Sequence, residues 1–480
     1  MNNQFVSNIS NQTTTTANGA KTRLSSNSAC VDLFYKIGSS RGQNIVPDFV
    51  KAWVENQDVA IRILLWARDI RGGAGERDLF RSVFKFMYSN SQTYGEYCLD
   101  ILMKLPEIGR WDDMLIVFES STNDSNMDHI AKLFVSTLFY NAIQSGNGLA
   151  AKWAPRQGPI ANFMRNSANM PPKEWRKFVV QATNVVEQQM CSNQWPNIEY
   201  AKVPSQAARI YTKAFKRHDP VGYDTYKAAL VKGETKINAT TLYPYQIIRD
   251  LRRNSDVIIA EAQWNSLPDY IGDQKILPVI DVSGSMTYVT LDSSGLYPLD
   301  VAVSLGLYCA DKNKGAFKDV YMTFSANPQL IKNSGPLKMK LDQIKKSDWG
   351  FNTNIEKTFQ EILKYAKDNK VPVEDMPQYI LILSDMQFDP NDQHSNSTAL
   401  KMIRKEYKSA NYNMPMIVFW NLVGNRYNNV PAKSNSENVA MVSGFSPSIM
   451  RSILSGKVVT PEDVMLETIM NTRYDYKGQT

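Results

Sequence analysis

Two incompatible rhythms of apolar residues divide this chain. From about Asp32 to Arg253 apolar side chains recur every three or four positions with few β-branched alternations, the spacing of helices buried along one face. "VPDFVKAWVENQDVAIRILLWARDI" reads as two helices that turn Phe49, Trp53, Ile61, Leu64 and Leu65 to a core. The glycines of "RGGAGER" end that run, and Glu76 to Tyr88 begin another helix. "YCLDILMKLPEIGRWDDMLIVFES", "MDHIAKLFVSTLFYNAIQ" and "PPKEWRKFVVQATNVVEQQM" repeat the theme of helix and tight break. Such a succession predicts a helical-repeat array, although no strict period is visible. Near Leu267 the rhythm changes. "KILPVIDV", "DVYMTFS", "QYILILSDM" and "MPMIVFWNLV" read as buried strands, separated by helical stretches such as "LDVAVSLGLYCADKNKG" and "NIEKTFQEILKYAKDNK". Strand and helix in alternation predict an α/β doubly wound parallel sheet. The expected division is a flexible polar tail over 1–24, a helical domain over 25–266 and an α/β domain over 267–480.

The bulk properties narrow the class. With 480 residues, 43% hydrophobic and 21% charged, the chain is globular and has room for two or three domains. No apolar run approaches the roughly 18–20 residues of a membrane span. The opening "MNNQFVSNISNQTTTTANGAK" lacks the basic and apolar regions of a secretory signal. Cys30, Cys98, Cys191 and Cys309 are scattered without a CxxC pair, which predicts free thiols and a cytoplasmic protein. The formal net charge of +7 is uneven: residues 145–256 carry 17 Lys/Arg against 8 Asp/Glu. A basic excess confined to one stretch is the footprint of a polyanion partner.

One turn in the α/β half carries an unusual density of oxygen donors. In "PVIDVSGSM" a buried strand ends at Asp281 and is followed by Ser283 and Ser285. Asp385 closes "YILILSD", and Thr353 sits in "WGFNTNIEKTF" just before a helix. In a parallel sheet all five belong to loops at the carboxyl edge, where ligands bind. Two carboxylates and three hydroxyls form a hard, all-oxygen set that suits Mg²⁺ or Mn²⁺. Neutral hydroxyls leave much of the ion's charge uncancelled, so the ion still wants an anionic oxygen from a partner. Other chemistry has little material: there is no G-x-S-x-G elbow and no G-x-x-x-x-G-K-[ST] loop, and the only histidines are His129, His218 and His394.

Asp281-x-Ser283-x-Ser285, then Thr353, then Asp385 resembles the metal-ion-dependent adhesion site of von Willebrand factor A domains, in order and in strand context. The resemblance implies a Rossmann-like A domain. It also implies direct ligation of Mg²⁺ by Ser283, Ser285 and Thr353, with Asp281 and Asp385 contributing directly or through water.

In the helical half, arginines and aromatics interleave at the helix ends. Arg68, Arg71 and Arg77 cluster about the glycine turn, Arg110 precedes Trp111, Lys152 and Arg156 flank Trp153, and Lys213, Lys216 and Arg217 crowd one helix end. Cations for phosphates and rings for bases are what single-stranded nucleic acid requires. The same arginines also stand near Asp69, Glu76, Asp112 and Asp113, with which they can form buried links between helices. The phrases "RDIRGGAGER", "GRWDD" and "KWAP", followed by the A-type pattern, resemble the Ro ribonucleoprotein family, in particular a branch of bacteria, phages and plants. The resemblance covers about 25–480. It implies a HEAT-like, TROVE-type ring of helices ahead of the A domain, and binding of small structured RNA or single-stranded RNA ends without catalysis. The competing expectation is a metal-dependent protein-interaction scaffold, in which a protein ligand supplies a carboxylate to the metal and no RNA is bound.

Overall fold

The computed structural model describes residues 13–253, 256–324, 328–346, 354–389, 396–427 and 429–477. Two short strands come first, β1 (Thr13–Thr15) and β2 (Lys21–Arg23), paired as an antiparallel hairpin. Helices then follow one another from Ala29–Ile37 to Val257–Asn265, most of them packed on helices near them in sequence. Their lengths run from 4 residues (Ile116–Glu119) to 20 (Ser125–Gln144), so the successive units are not copies of one another.

The second half holds a six-stranded sheet built from β3 (Ile276–Asp281), β4 (Val320–Phe324), β5 (Leu330–Lys332), β6 (Tyr379–Ser384), β7 (Met416–Asn421) and β8 (Val439–Ser443). The spatial order is β5-β4-β3-β6-β7-β8. All pairings are parallel except β4 with β5, so the sheet is mixed, with an antiparallel strand at one edge. Every residue of β3, β7 and β8 is buried, which requires cover on both faces and explains the near-continuous apolar runs in the sequence. The helix Pro298–Lys312 supplies part of that cover, and its Gly306 leaves room for Ile280 of β3. The strand order reverses between β3 and β6, and the crevice beyond the carboxyl ends of those two strands is where such sheets bind ligands.

The change of rhythm near residue 267 does not divide the packing. One apolar core runs from Ala20 through the helices and the sheet to Tyr476, and a smaller one gathers Trp195, Tyr200, Phe215, Tyr223 and neighbours. The helix Ala29–Ile37 lies against β8: the Gly38 N–H donates to Ser443 Oγ at 3.0 Å, and that hydroxyl donates to Phe34 O at 3.0 Å. The end of the helical stretch also returns to its beginning, since Tyr243 Oη donates to Ala74 O at 3.1 Å and Arg41 Nη1 to Tyr245 Oη at 3.2 Å. Residues 13–24, expected within a flexible tail, instead form a packed element in which Thr16, Ala20 and Thr22 are buried.

The "RGGAGER" turn and the Asp69 just before it form a hub of ion pairs. Asp69 accepts from Arg473 and, at 3.1 Å, from the Tyr474 hydroxyl. Glu76 pairs with Arg41 at 2.8 Å, and Arg77 with Asp112 and Asp113 at 2.6 and 3.0 Å. Gly75 has φ +71°, the left-handed region, and a side chain there would run into the Tyr243 hydroxyl.

Candidate metal centre

The residues that end β3 and β6 meet because the two strands are parallel neighbours in register. Ile280 pairs with Leu383, which sets Asp281 beside Ser384 and one residue short of Asp385. Asp281 is fully buried. Its Oδ1 accepts from the Ser283 N–H at 2.9 Å and its Oδ2 from the Ser384 hydroxyl at 2.5 Å. The Ser283 and Ser285 hydroxyls are 3.0 Å apart. Asp385, 1% exposed, accepts from the Gln387 N–H on Oδ1 at 3.0 Å. The Ser285 side chain faces that carboxyl and favours its ionised form. Asp385 Oδ2 is nevertheless buried without a hydrogen-bond partner.

Neither carboxylate has a lysine, arginine or histidine within ion-pair distance among the described residues. Burial is the main reason the Asp281 carboxyl is pushed up to about 7, and the neighbouring Asp385 carboxylate pushes it the same way. Burial likewise raises Asp385, against the opposing pull of the Gln387 N–H. Two adjacent buried acids with no counter-charge are costly to ionise unless a cation joins them. Among the described residues no three His, Cys, Asp or Glu side chains cluster. The set gathered here is instead two carboxylates with the hydroxyls of Ser283 and Ser285, the hard donors of a hydrated divalent ion.

Thr353, the fifth expected ligand, lies outside the described residues. The helix after it begins at Ile355, with Asn354 as N-cap accepting from the Lys357 N–H. Three participants escaped the sequence reading. Ser384 orients Asp281 and also accepts from the Met386 N–H at 2.9 Å. Met386 itself has φ +63°, a strained conformation for a side-chain-bearing residue, of the kind that recurs at functional loops. Gln387, buried, donates its backbone N–H to Asp385.

The expected RNA contacts sort into two groups. Arg68 is 1% exposed and holds Asp113 through Nε at 2.9 Å and Nη2 at 2.5 Å. It therefore cannot reach a ligand, and its expected RNA role is corrected to a buried link between helices. Arg110 is half-buried, pairs with Asp112 at 3.1 Å and lies over the Trp153 ring at 4.3 Å. Lys152 pairs with Glu187 at 2.7 Å. Arg71 and Arg156 are exposed, donating to Glu107 O at 2.8 Å and to Thr183 Oγ1 at 3.2 Å. Lys213, Lys216 and Arg217 are exposed on the helix Thr212–His218 and have no carboxylate within ion-pair distance among the described residues. Beside them the exposed His218 ring stacks on Trp195, with centroids 4.4 Å apart and planes at 11°.

The four cysteines form no disulfide: Cys30, Cys98 and Cys309 are buried and Cys191 is exposed. Among the described residues no helix is long and apolar enough to cross a membrane.

Comparison with known proteins places these features in company. The profile of a domain of unknown function (DUF7788) matches residues 275–478, and that of a second domain of unknown function (DUF2828) matches 16–94 and 172–276. The two matches meet at the foot of β3. The "Uncharacterized protein L728" of Acanthamoeba polyphaga mimivirus is 27% identical over 506 residues, covering 95% of this chain and 86% of that protein. Among solved structures, the Ro (RSR) protein of Deinococcus radiodurans aligns over 92% of this chain and 99% of its own, at 12% identity and a TM-score of 0.39.

Proposed function

We propose that this chain is a non-catalytic RNA-binding protein of the Ro type, whose sheet carries a Mg²⁺- or Mn²⁺-dependent adhesion site. The metal reading rests on Asp281 and Asp385, buried side by side with no counter-charge and with one carboxylate oxygen unbonded among the described residues. A cation at the carboxyl edge of β3 and β6 supplies the missing charge, with the Ser283 and Ser285 hydroxyls as neutral ligands. Its remaining charge attracts an anionic oxygen from a partner. Among the described residues no histidine stands beside those serines as a base: His129 packs near Phe163 and His218 on Trp195, both in the helical half, and His394 lies outside the described residues.

The RNA reading rests on the resemblance in "RDIRGGAGER", "GRWDD" and "KWAP" and on the exposed cations of the helix Thr212–His218. Replacing Lys213, Lys216 and Arg217 together by Ala lowers the affinity for single-stranded RNA. It also flattens the log–log salt dependence by about 2, because each phosphate contact contributes about 0.7 on a single strand. A salt titration of binding to wild type and variant reads both effects, and identical curves remove this surface from the reading.

A second reading, a metal-dependent protein-assembly scaffold without RNA, is favoured by one observation. Arg68, Arg110 and Lys152 are all engaged with carboxylates, which leaves fewer cations for phosphate. The absence of RNA binding selects it, and tight RNA binding that does not respond to salt counts against the first reading.

A further inference from the structure

The loop that carries Asp385 is held from outside by a segment made more than 360 residues earlier in the chain. At the turn of the β1–β2 hairpin the Thr16 hydroxyl donates to Phe388 O at 2.7 Å. The Ala17 N–H donates to Gln387 Oε1 at 2.6 Å, and the Asn18 Nδ2 to Gln387 O at 2.7 Å. The other end of the hairpin is anchored as well. Arg23 and Val430 exchange backbone bonds at 3.2 and 2.8 Å, and Thr22 Oγ1 donates to Val430 O at 3.1 Å. The neighbouring Asn429 donates its Nδ2 to Met386 O at 3.1 Å. The four residues Asp385–Phe388 are thus gripped from two sides, although they form neither strand nor helix.

That grip has work to do. Met386 sits at φ +63°, a conformation that costs on the order of 1–3 kcal/mol and persists only where the surroundings impose it. The strained peptide places the Gln387 N–H on Asp385 Oδ1, and so fixes which oxygen of that carboxylate stays open. We propose that the hairpin 13–23 is a strap across the rim of the cation site, in which Thr16 and Asn18 are positioning residues that set Asp385 through the Gln387–Phe388 backbone. The inference rests on the metal reading given above. In it the β1–β2 hairpin, expected to be idle tail, belongs to the divalent-cation site, and affinity for the ion depends on residues that never touch it.

The test is the double variant Thr16→Val/Asn18→Ala in the full chain, which removes two of the three strap bonds without touching a proposed ligand. Two measurements are made. Mg²⁺ affinity by calorimetry falls about tenfold or more in the variant, whereas the urea midpoint in metal-free buffer stays near that of wild type. Hydrogen exchange in metal-free buffer shows faster exchange of the Met386 and Gln387 amides. Unchanged exchange at those amides overturns the strap, and so does an equal Mg²⁺ affinity in both proteins. If wild type binds no Mg²⁺ at all, the metal reading falls, and the exchange rates still decide whether the hairpin holds the loop. A large drop in the urea midpoint assigns the hairpin to general stability and overturns the proposal. The single variant Asn18→Ala, exposed and polar, guards against a folding failure of the double one and is read by the same exchange rates.

Discussion

Two loops of this molecule look equally suggestive in sequence, and their buried charges tell them apart. "RGGAGER" is rich in glycine and charge, as binding loops often are, yet its Glu76 and Arg77 and the preceding Arg68 and Asp69 meet opposite charges, while the exposed Arg71 donates to Glu107 O. Asp69 meets Arg473, Glu76 meets Arg41, Arg77 meets Asp112 and Asp113, and the preceding Arg68 meets Asp113. "DVSGSM" and the facing "SDMQ" bury two acids that meet no base among the described residues. A loop whose charges are cancelled internally has little left to offer a ligand, whereas a loop with a buried deficit of positive charge is completed by one. The contrast follows from the asymmetry of buried electrostatics: breaking a satisfied pair is severe, and neutralising an unsatisfied charge is nearly free.

The same Asp-to-Asn change, made at the carboxylate that matches Arg68 and Arg77 and at an acid of the second loop, should therefore give opposite results. Asp113→Asn leaves Arg68 buried without its partner and is expected to cost about 3–5 kcal/mol, read from urea denaturation. A loss below about 1 kcal/mol would erase the distinction. The next largest effect comes from the cation. Mg²⁺ at about a hundred times its dissociation constant is expected to stabilise wild type by about 2.7 kcal/mol at pH 8.

That gain has a defined pH dependence. The Asp281 carboxyl is raised to about 7 in the metal-free fold, against about 3.9 in an unfolded chain. Between those values the native state holds the extra proton. The stability this group contributes is present in full below about pH 4 and is lost as pH rises through about 7. Added Mg²⁺ must displace that proton, so its stabilising effect grows from pH 6 to pH 8, as paired melts with Mg²⁺ and with chelator would show. A gain that is flat over this range would place the ion elsewhere. The smallest effect is the most telling. Asp385→Asn in chelator at pH 8 should shift stability by no more than about 1 kcal/mol while abolishing the Mg²⁺ response. A loss as large as that of Asp113→Asn would make Asp385 a structural residue.

The sequence made the sheet legible because fully buried parallel strands advertise themselves as apolar runs, and the position of Asp281 and Asp385 followed from where those runs stop. Ser283 and Ser285 were legible by spacing alone. Ser384 and Gln387 were not, since a serine inside "LILSDM" and the glutamine after it carry no marker until the register of β3 and β6 is known. The role of Arg68 was ambiguous for a related reason: its partner Asp113 lies 45 residues away, and only burial decides between a link and a contact. The β1–β2 hairpin was misread because its composition is that of a solvated tail. Its order comes from bonds to Gln387, Phe388 and Val430 rather than from any local preference.

The seating of the helix Ala29–Ile37 on β8 has a consequence for how the chain is made. Gly38 and Ser443 are 405 positions apart, so the apolar side of that helix leaves the ribosome long before the strand that covers it. At about 5–20 residues per second the interval is about 20–80 s. Phe34 meets Trp66 early, but during that time the side of the helix that seats on β8 has no final partner, and the nascent chain must be shielded by its own neighbouring helices or by chaperones. Biosynthesis, more than equilibrium stability, is then the stage at which a defect in this segment would first be felt.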